Sequence, residues 1–275
     1  MKYSPKSNKS PLLTEKVLKD SIIFEDGNII VINKPGWLVC HPSKNGPWSS
    51  LVGAVKEYLR LDRIFLVGRL DRETSGVVLI AKNQKTGRDW QMSLEKHKLK
   101  RTYLAIVEGN MRKCCHVTGF IGKDPYSKVF VKQRVAEQSR KSKRAETLFY
   151  PILEAGGFTL VSVITKTGRK HQIRVHSQSI GFPLVGEKLY GHNELYYLEF
   201  CQSGWNSRWI NQLGMSRQAL HARRFGSLEE GKVFEAEIPD DFQNFMKTRM
   251  DIKISDFKEI LKKIELIECQ ELSVI

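Results

Sequence analysis

The chain has 275 residues, and its 45 Lys and Arg against 30 Asp and Glu give a formal charge of +15. That length holds one large domain or two small ones, and an apolar fraction of 41% is enough for a packed core. A basic excess of this size fits a polyanionic partner. No apolar run is long enough to span a membrane, and the first residues are polar and basic rather than a signal peptide, so nucleic acid is favoured over a membrane.

The five cysteines, Cys40, Cys114, Cys115, Cys201 and Cys269, form no Cys-x-x-Cys pair. Neither a disulfide framework nor a zinc site is indicated, and a reducing cytoplasm fits.

In chain order, Met1 to Asp20 carries Lys2, Lys6, Lys9, Lys16 and Lys19. It reads as a basic flexible arm, either a solubilising tail or a segment that touches a nucleic-acid backbone. Ile22 to Phe24 and Ile29 to Ile32 flank Asp26-Gly27-Asn28, a hairpin signal. Asn33-Lys34-Pro35-Gly36 stops the strand and aims a loop toward His41-Pro42. Lys34 and His41 either meet phosphate or a base edge, or belong to a structural turn with Lys34 solvated. Ser50 caps a helix whose Leu51, Val52, Val55 and Leu59 share a core-facing side.

Gly68-Arg69-Leu70-Asp71-Arg72-Glu73-Thr74-Ser75-Gly76 follows, between two strand-like runs, Ile64 to Val67 and Val77 to Ala81. One acid thus sits between two arginines at the rim of a sheet. Arg69 and Arg72 favour the ionised form of Asp71, and such a carboxylate can serve as nucleophile or general base. From these residues alone, a surface loop with local ion pairs is an equal reading.

Gln84 to about Glu95 reads as a helix with Trp90 and Leu94 on one side. In the strand Thr102 to Val107, alternation puts Tyr103, Ala105 and Val107 on one face and Thr102, Leu104 and Ile106 on the other. Arg112 to Arg144 is basic and irregular, with a hairpin of Val117 to Ile121 and Val129 to Val131 around Asp124-Pro125. Arg134, Arg140, Lys141, Lys143 and Arg144 suit phosphate contacts or a solvated face. Phe158 to Thr165 is a strand. Thr167-Gly168-Arg169-Lys170-His171-Gln172-Ile173-Arg174-Val175-His176 leads into a helical stretch to Ile180, with Gly181 as its stop. His171 and His176 are five apart, off the spacing of a helical metal pair, and have no evident third ligand. His192 to Met215 is rich in Tyr, Trp and Asn, with Trp205 and Trp209 either partly buried or stacking on nucleic acid. Arg217 to Ala222 leads into a late strand, then come a turn at 229–231, a closing strand from Val233 to Ile238, and a terminal helix striped by Phe257, Leu261, Ile264 and Ile267. The chain has no phosphate-cradling Gly-Lys-Ser/Thr loop, no Gly-x-Gly-x-x-Gly and no Gly-x-Ser-x-Gly, which argues against NTPase, nicotinamide and serine-hydrolase chemistry.

Ordered segments from roughly Ile22 to Pro239 resemble the RluA-type pseudouridine synthases, which modify uridines in ribosomal and transfer RNA without a guide RNA. Asp71 stands in what resembles their catalytic motif, with Gly68 where His is usual. Glu25-Asp26, an apolar strand, Asn33-Lys34-Pro35-Gly36 and His41-Pro42 resemble the first motif. Lys100 to Gly109 resembles the segment that supplies an active-site tyrosine, and Thr167 to His176 is a nearly complete match to the next. Phe182 to Gly191 follows the pattern with Glu187 where Asp is commoner. Arg217 to Ala222 follows it too, although the usual His-Pro afterwards is replaced by Gly226-Ser227.

The resemblance implies an α+β fold: a mixed, largely antiparallel sheet flanked by helices, with a central active-site cleft. Its parts would be the basic arm 1–20, a catalytic domain 21–250 and a docked terminal helix 251–275, without the N-terminal RNA-binding domain of many relatives. The implied reaction turns uridine into pseudouridine within RNA, with no cofactor, metal or nucleotide. Asp71 would be the nucleophile, on the sugar or the base, or an electrostatic anchor; Arg174 would pair with Asp71 and keep it charged, and Tyr103 would stack on the flipped uracil. RNA would be held by Arg69, Arg72, Lys34, His41, Arg144, Arg169, Lys170 and His171. The expected state is a cytoplasmic monomer. The competing class is a non-catalytic RNA-binding or ribosome-assembly factor on the same fold; a nucleoside hydrolase using Asp71 is a further one.

Overall fold

The computed structural model describes residues 10–41, 45–227 and 231–273. Along the chain run α1 (Glu15–Asp20), β1 (Ile22–Glu25), β2 (Ile29–Lys34), α2 (Leu51–Leu59), β3 (Phe65–Val67), β4 (Ser75–Ala81), α3 (Gln84–Glu95) and β5 (Lys100–Glu108). Then come β6 (Cys115–Lys123), β7 (Gln133–Ala136), β8 (Lys143–Ala155), β9 (Phe158–Thr165), α4 (Gln172–Ser179), α5 (Leu195–Ser203) and α6 (Ile210–Leu213). The chain ends with β10 (Leu220–Ser227), β11 (Lys232–Glu235), α7 (Asp240–Arg249) and α8 (Phe257–Ser273). Two compact units form, one from Met1–Arg101 with His221–Ile238 and one from Thr102–Leu220 with Pro239–Ile275. The α+β class and the mixed, mostly antiparallel pairing expected from the sequence are present.

In the first unit the Asp26-Gly27-Asn28 hairpin closes as expected, because the Asp26 carboxylate accepts the N–H groups of Asn28 and Ile29. Strand β2 pairs antiparallel with β1 and β4. Its continuous apolar run has a simple cause: both faces are covered. Ile29 and Val31 join Leu79, Trp90 and Phe225 in one core, and Ile30 and Ile32 join Leu38, Leu51, Val55 and Ile80 in the other. Each such side chain contributes roughly 1.5–3 kcal/mol on burial. Ser50 caps α2 as predicted, its hydroxyl accepting the Gly53 N–H. The arm expected to be flexible through residue 20 is folded over its later part: Thr14 caps α1, Leu13 and Leu18 are buried, and the Leu13 N–H donates to the Trp48 carbonyl. Its Lys2, Lys6 and Lys9 lie outside the described residues.

Strand β4 changes partner along one edge. Val67 faces Leu79 at the β3 end, whereas Ala222 of β10 faces Gly76 and His221 faces Ser75 in a parallel pairing. The loop from Gly68 to Thr74 leaves the sheet where β3 gives way to β10. Gly76 has φ +113°, and a Cβ there would collide with the Ala222 carbonyl, so only glycine allows this approach. Strand β11 pairs with β10, with Phe225 opposite Phe234. It is shorter than the expected Val233 to Ile238, and two residues of the expected turn, 229 and 230, lie outside the described residues.

The second unit pairs β5, β9, β8, β6 and β7 antiparallel in that order. Tyr103, Ala105 and Val107 share a face, as the alternation predicts, over a core of Phe149, Val161, Val163 and Ile173. The β6–β7 hairpin is present, but its return strand starts at Gln133, not Val129. Val129 is buried under the tip, where its carbonyl accepts the Lys132 N–H and closes a turn. Strand β8 and helix α7 go beyond the elements read from the sequence. Helix α8 is docked through Ile260 and Ile264, and its buried Glu268 accepts from the Thr102 hydroxyl. The 192–215 stretch folds into α5 and α6 around Tyr196, Trp205 and Trp209, whose rings meet edge-on. Trp209 is buried and Trp205 partly so.

Candidate active site

The first unit carries the Asp71 loop, and the chain braces it from several directions. Asp71 is partly buried, and its carbonyl accepts the Thr74 N–H, closing a turn directly before β4. Lys34 stands at the end of β2, wholly buried. Its ammonium donates to the carbonyls of Leu38 at 2.8 Å, Pro35 at 3.0 Å and Arg72 at 3.3 Å. The Cys40 thiol reaches the Leu70 carbonyl at 3.4 Å. Arg72 donates its Nε to the Trp37 carbonyl at 3.3 Å and lies over the Trp37 ring. Trp37 itself takes φ +73°, the left-handed region that costs a non-glycine residue about 1–3 kcal/mol. Residues 34–40 are therefore the support of residues 70–72.

This corrects the expectation for Lys34. It is not solvated: its buried ammonium, donating to three carbonyls, braces the turn. Downstream, Ser75 Oγ lies 2.9 Å from His221 Nδ1, both buried. That contact ties the central motif to His221 of the Arg217 to Ala222 segment. Arg69 and His41 are exposed, and Arg72 is partly buried.

The second unit carries Tyr103 and Arg174. Tyr103 is partly buried on the apolar face of β5. The Thr167–His176 segment is held by Gln172, whose Oε1 accepts from the Thr167 hydroxyl at 2.7 Å and the Arg169 N–H at 3.0 Å. Its Nε2 donates to the Glu146 carbonyl and the Thr147 hydroxyl. His171 starts α4 in the left-handed region with φ +55°. One turn on, Arg174 is buried and donates its Nε and Nη2 to the two Glu187 oxygens, each at 2.7 Å. Burial pushes the Glu187 carboxyl up. The Arg174 charge, its hydrogen bonds and the Leu189 N–H outweigh that, so Glu187 stays below the usual carboxylate range. The arginine is thus held by a bidentate fork. Arg144, Arg169 and Lys170 are exposed, and Arg169 Nε donates to the Arg144 carbonyl at 2.8 Å. His171 is partly buried, with Nδ1 2.7 Å from the Tyr190 hydroxyl. The sequence reading singled out neither Ser75, Glu187 nor Tyr190 as a partner, although each lies inside a segment it quoted. Among the described residues no group of three or more His, Cys, Asp or Glu is arranged to hold a metal ion.

Residues 28–179 match the family model described as RNA pseudouridylate synthase. The chain belongs to that family. The pseudouridylate-synthase match contains the Asp71 loop, Tyr103 and Arg174. Over 241 residues the chain is 31% identical to the ribosomal large subunit pseudouridine synthase D of Zymomonas mobilis, covering 83% of this chain and 72% of that protein. It is 38% identical over 242 residues to an uncharacterized RNA pseudouridine synthase of Mycoplasma pneumoniae, covering 86% and 72%. Among solved structures, human RNA pseudouridylate synthase domain containing 4 superposes with a TM-score of 0.67 at 23% identity, covering 87% of this chain and 96% of that one. That likeness concerns the fold. The chain is a pseudouridine synthase by family.

Proposed function

We propose that the protein isomerises uridine to pseudouridine in large-subunit ribosomal RNA, with Asp71 as the catalytic carboxylate. The observation that carries this reading is the bracing of the Asp71 loop: Lys34, Cys40 and Trp37 contact residues 70–72, and Ser75 is bonded to His221. A carboxylate on a loop held this firmly is preorganised, which is where catalysis of a bond rearrangement gains most. The ribosomal target is suggested by relatives named for the ribosomal large subunit.

In the reaction the glycosidic carbon–nitrogen bond breaks, the uracil turns, and its C5 bonds to the same ribose carbon. The C5 proton leaves and N1 gains one, so nothing enters or departs overall. Asp71 serves the bond exchange as an anion, and Arg174 preserves that charge. Tyr103 offers a face for the base, a contact that contributes on the order of 1–3 kcal/mol, and a hydroxyl for the C5 proton. The uridine must leave its helix first. Arg69, exposed beside Asp71, fills the gap or holds a phosphate, and Arg144, Arg169 and Lys170 supply a basic exposed surface. The protein works as a monomer in the cytoplasm on this reading. No described helix is long and apolar enough to cross a membrane.

The test is Asp71→Asn. It should abolish pseudouridine formation in ribosomal RNA while leaving RNA binding nearly intact. Retained turnover would refute the assignment, and release of free uracil by the native protein would favour a hydrolase instead.

A further inference from the structure

Tyr190 is wholly buried and joins three parts of the second unit through one side chain. Its hydroxyl accepts the Gln133 N–H at 2.9 Å, at the start of β7. The same oxygen lies 2.7 Å from His171 Nδ1, and the two rings meet edge-on at 5.6 Å. The Arg174 guanidinium lies over the Tyr190 ring, 5.0 Å from its centre. Its own N–H points to Glu187 Oε1 at 3.4 Å, the carboxylate that grips Arg174.

The position of His171 gives this network a purpose. His171 starts α4 with φ +55° and caps it with no side-chain hydrogen bond. That conformation is costly for a residue with a Cβ and persists only where its surroundings enforce it. The Tyr190 hydroxyl is one such constraint, and it acts one turn before Arg174. If the helix start relaxes, Arg174 shifts with it, and a misplacement of about 1 Å can cost as much as a hundredfold in rate.

We propose that Tyr190 is a positioning residue for Arg174, acting through the left-handed turn at His171 that its hydroxyl holds. This rests on the reading of Arg174 as a functional group of the isomerisation. Tyr190 touches neither substrate nor reacting atoms in this assignment. Its hydroxyl oxygen also holds Gln133 at the loop end of the β6–β7 hairpin, so the hairpin and the arginine share one fixed point.

Tyr190→Phe removes the oxygen and keeps the ring. Under single-turnover conditions on ribosomal RNA it should lower the rate about tenfold while the RNA Kd stays within about twofold. His171→Gly supplies a residue that takes the left-handed conformation without help. In that background Tyr190→Phe should cost less than about twofold in rate. An equal loss from Tyr190→Phe in both backgrounds, a single variant as fast as the native protein, or a loss confined to Kd would each overturn the proposal. If Tyr190→Phe alone does not fold, the double variant decides it: it should be folded and turn over at the rate of His171→Gly, and a slower or unfolded double variant overturns it. Arg174→Ala, measured alongside, separates the two claims, because full activity there refutes the role of Arg174 whatever Tyr190→Phe does.

Discussion

Ser75 Oγ lies 2.9 Å from His221 Nδ1, and the two residues face each other across the parallel pairing of β4 and β10. They are 146 positions apart in the chain, and both are buried. The contact anchors the strand four residues after Asp71. Ser75→Ala should therefore cost about 1–2 kcal/mol of stability, the usual penalty when a buried polar atom loses its partner. It should also slow pseudouridine formation, with RNA affinity unchanged. Chemical denaturation and single-turnover rates check this; a rate equal to the native one would mean that the contact serves folding alone.

Lys34→Met keeps most of the buried volume and removes the ammonium. Three carbonyls then lose a donor, and roughly 2–4 kcal/mol of stability should go with it. RNA affinity of the folded variant should stay within about twofold. Urea unfolding and filter binding distinguish the outcomes. Intact stability with weakened binding would restore Lys34 as a phosphate contact.

Acid should destabilise the protein in two stages. Burial lowers the His176 imidazole to about 4, so the folded chain keeps it neutral while the unfolded chain takes up a proton near 6.5. Stability is complete above 6.5 and declines as pH falls toward 4, by on the order of 3 kcal/mol across that window. The depressed Glu187 carboxyl adds a second loss beginning near 4.5, the ordinary value at which the unfolded chain protonates. His176→Gln should flatten the first stage and leave the second. Urea midpoints followed from about pH 7 downward measure both, and an unchanged slope in the variant would rule out His176 as the cause.

Salt should weaken RNA binding steeply. Arg144 and Arg169 are exposed neighbours, joined by the bond from Arg169 Nε to the Arg144 carbonyl. Replacing each by Gln should reduce the slope of log K against log salt by about one. A slope untouched by both substitutions would place the RNA elsewhere on the surface.

Much of the fold was readable because local rules and packing agree. The Asp26 hairpin, the Ser50 cap, α3 and β9 follow from turn chemistry and periodicity, and tertiary contacts only reinforce them. Strand β8 was hidden because it opens on Lys143 and Arg144, the end of the Arg140 to Arg144 charge cluster, where lysine and arginine mask alternation. Helix α7 was hidden because its apolar stripe is only Phe242, Phe245 and Met246. The return strand of the hairpin was placed too early because Val129 to Val131 looks like a strand, yet a turn buries Val129 under the tip.

Family membership, by contrast, was legible locally: the Gly68 to Gly76 and Thr167 to His176 segments, in order along one chain, resemble the motifs of the pseudouridine synthases. What those segments lean on is not local. The Lys34 bond to the Arg72 carbonyl at 3.3 Å, Ser75 against His221 at 2.9 Å, and Arg174 between the Glu187 carboxylate at 2.7 Å and the Tyr190 ring are all made by backbone paths that bring separated residues together. A sequence states which side chains are present, but a buried charge is defined by its surroundings, and only the folded chain supplies those.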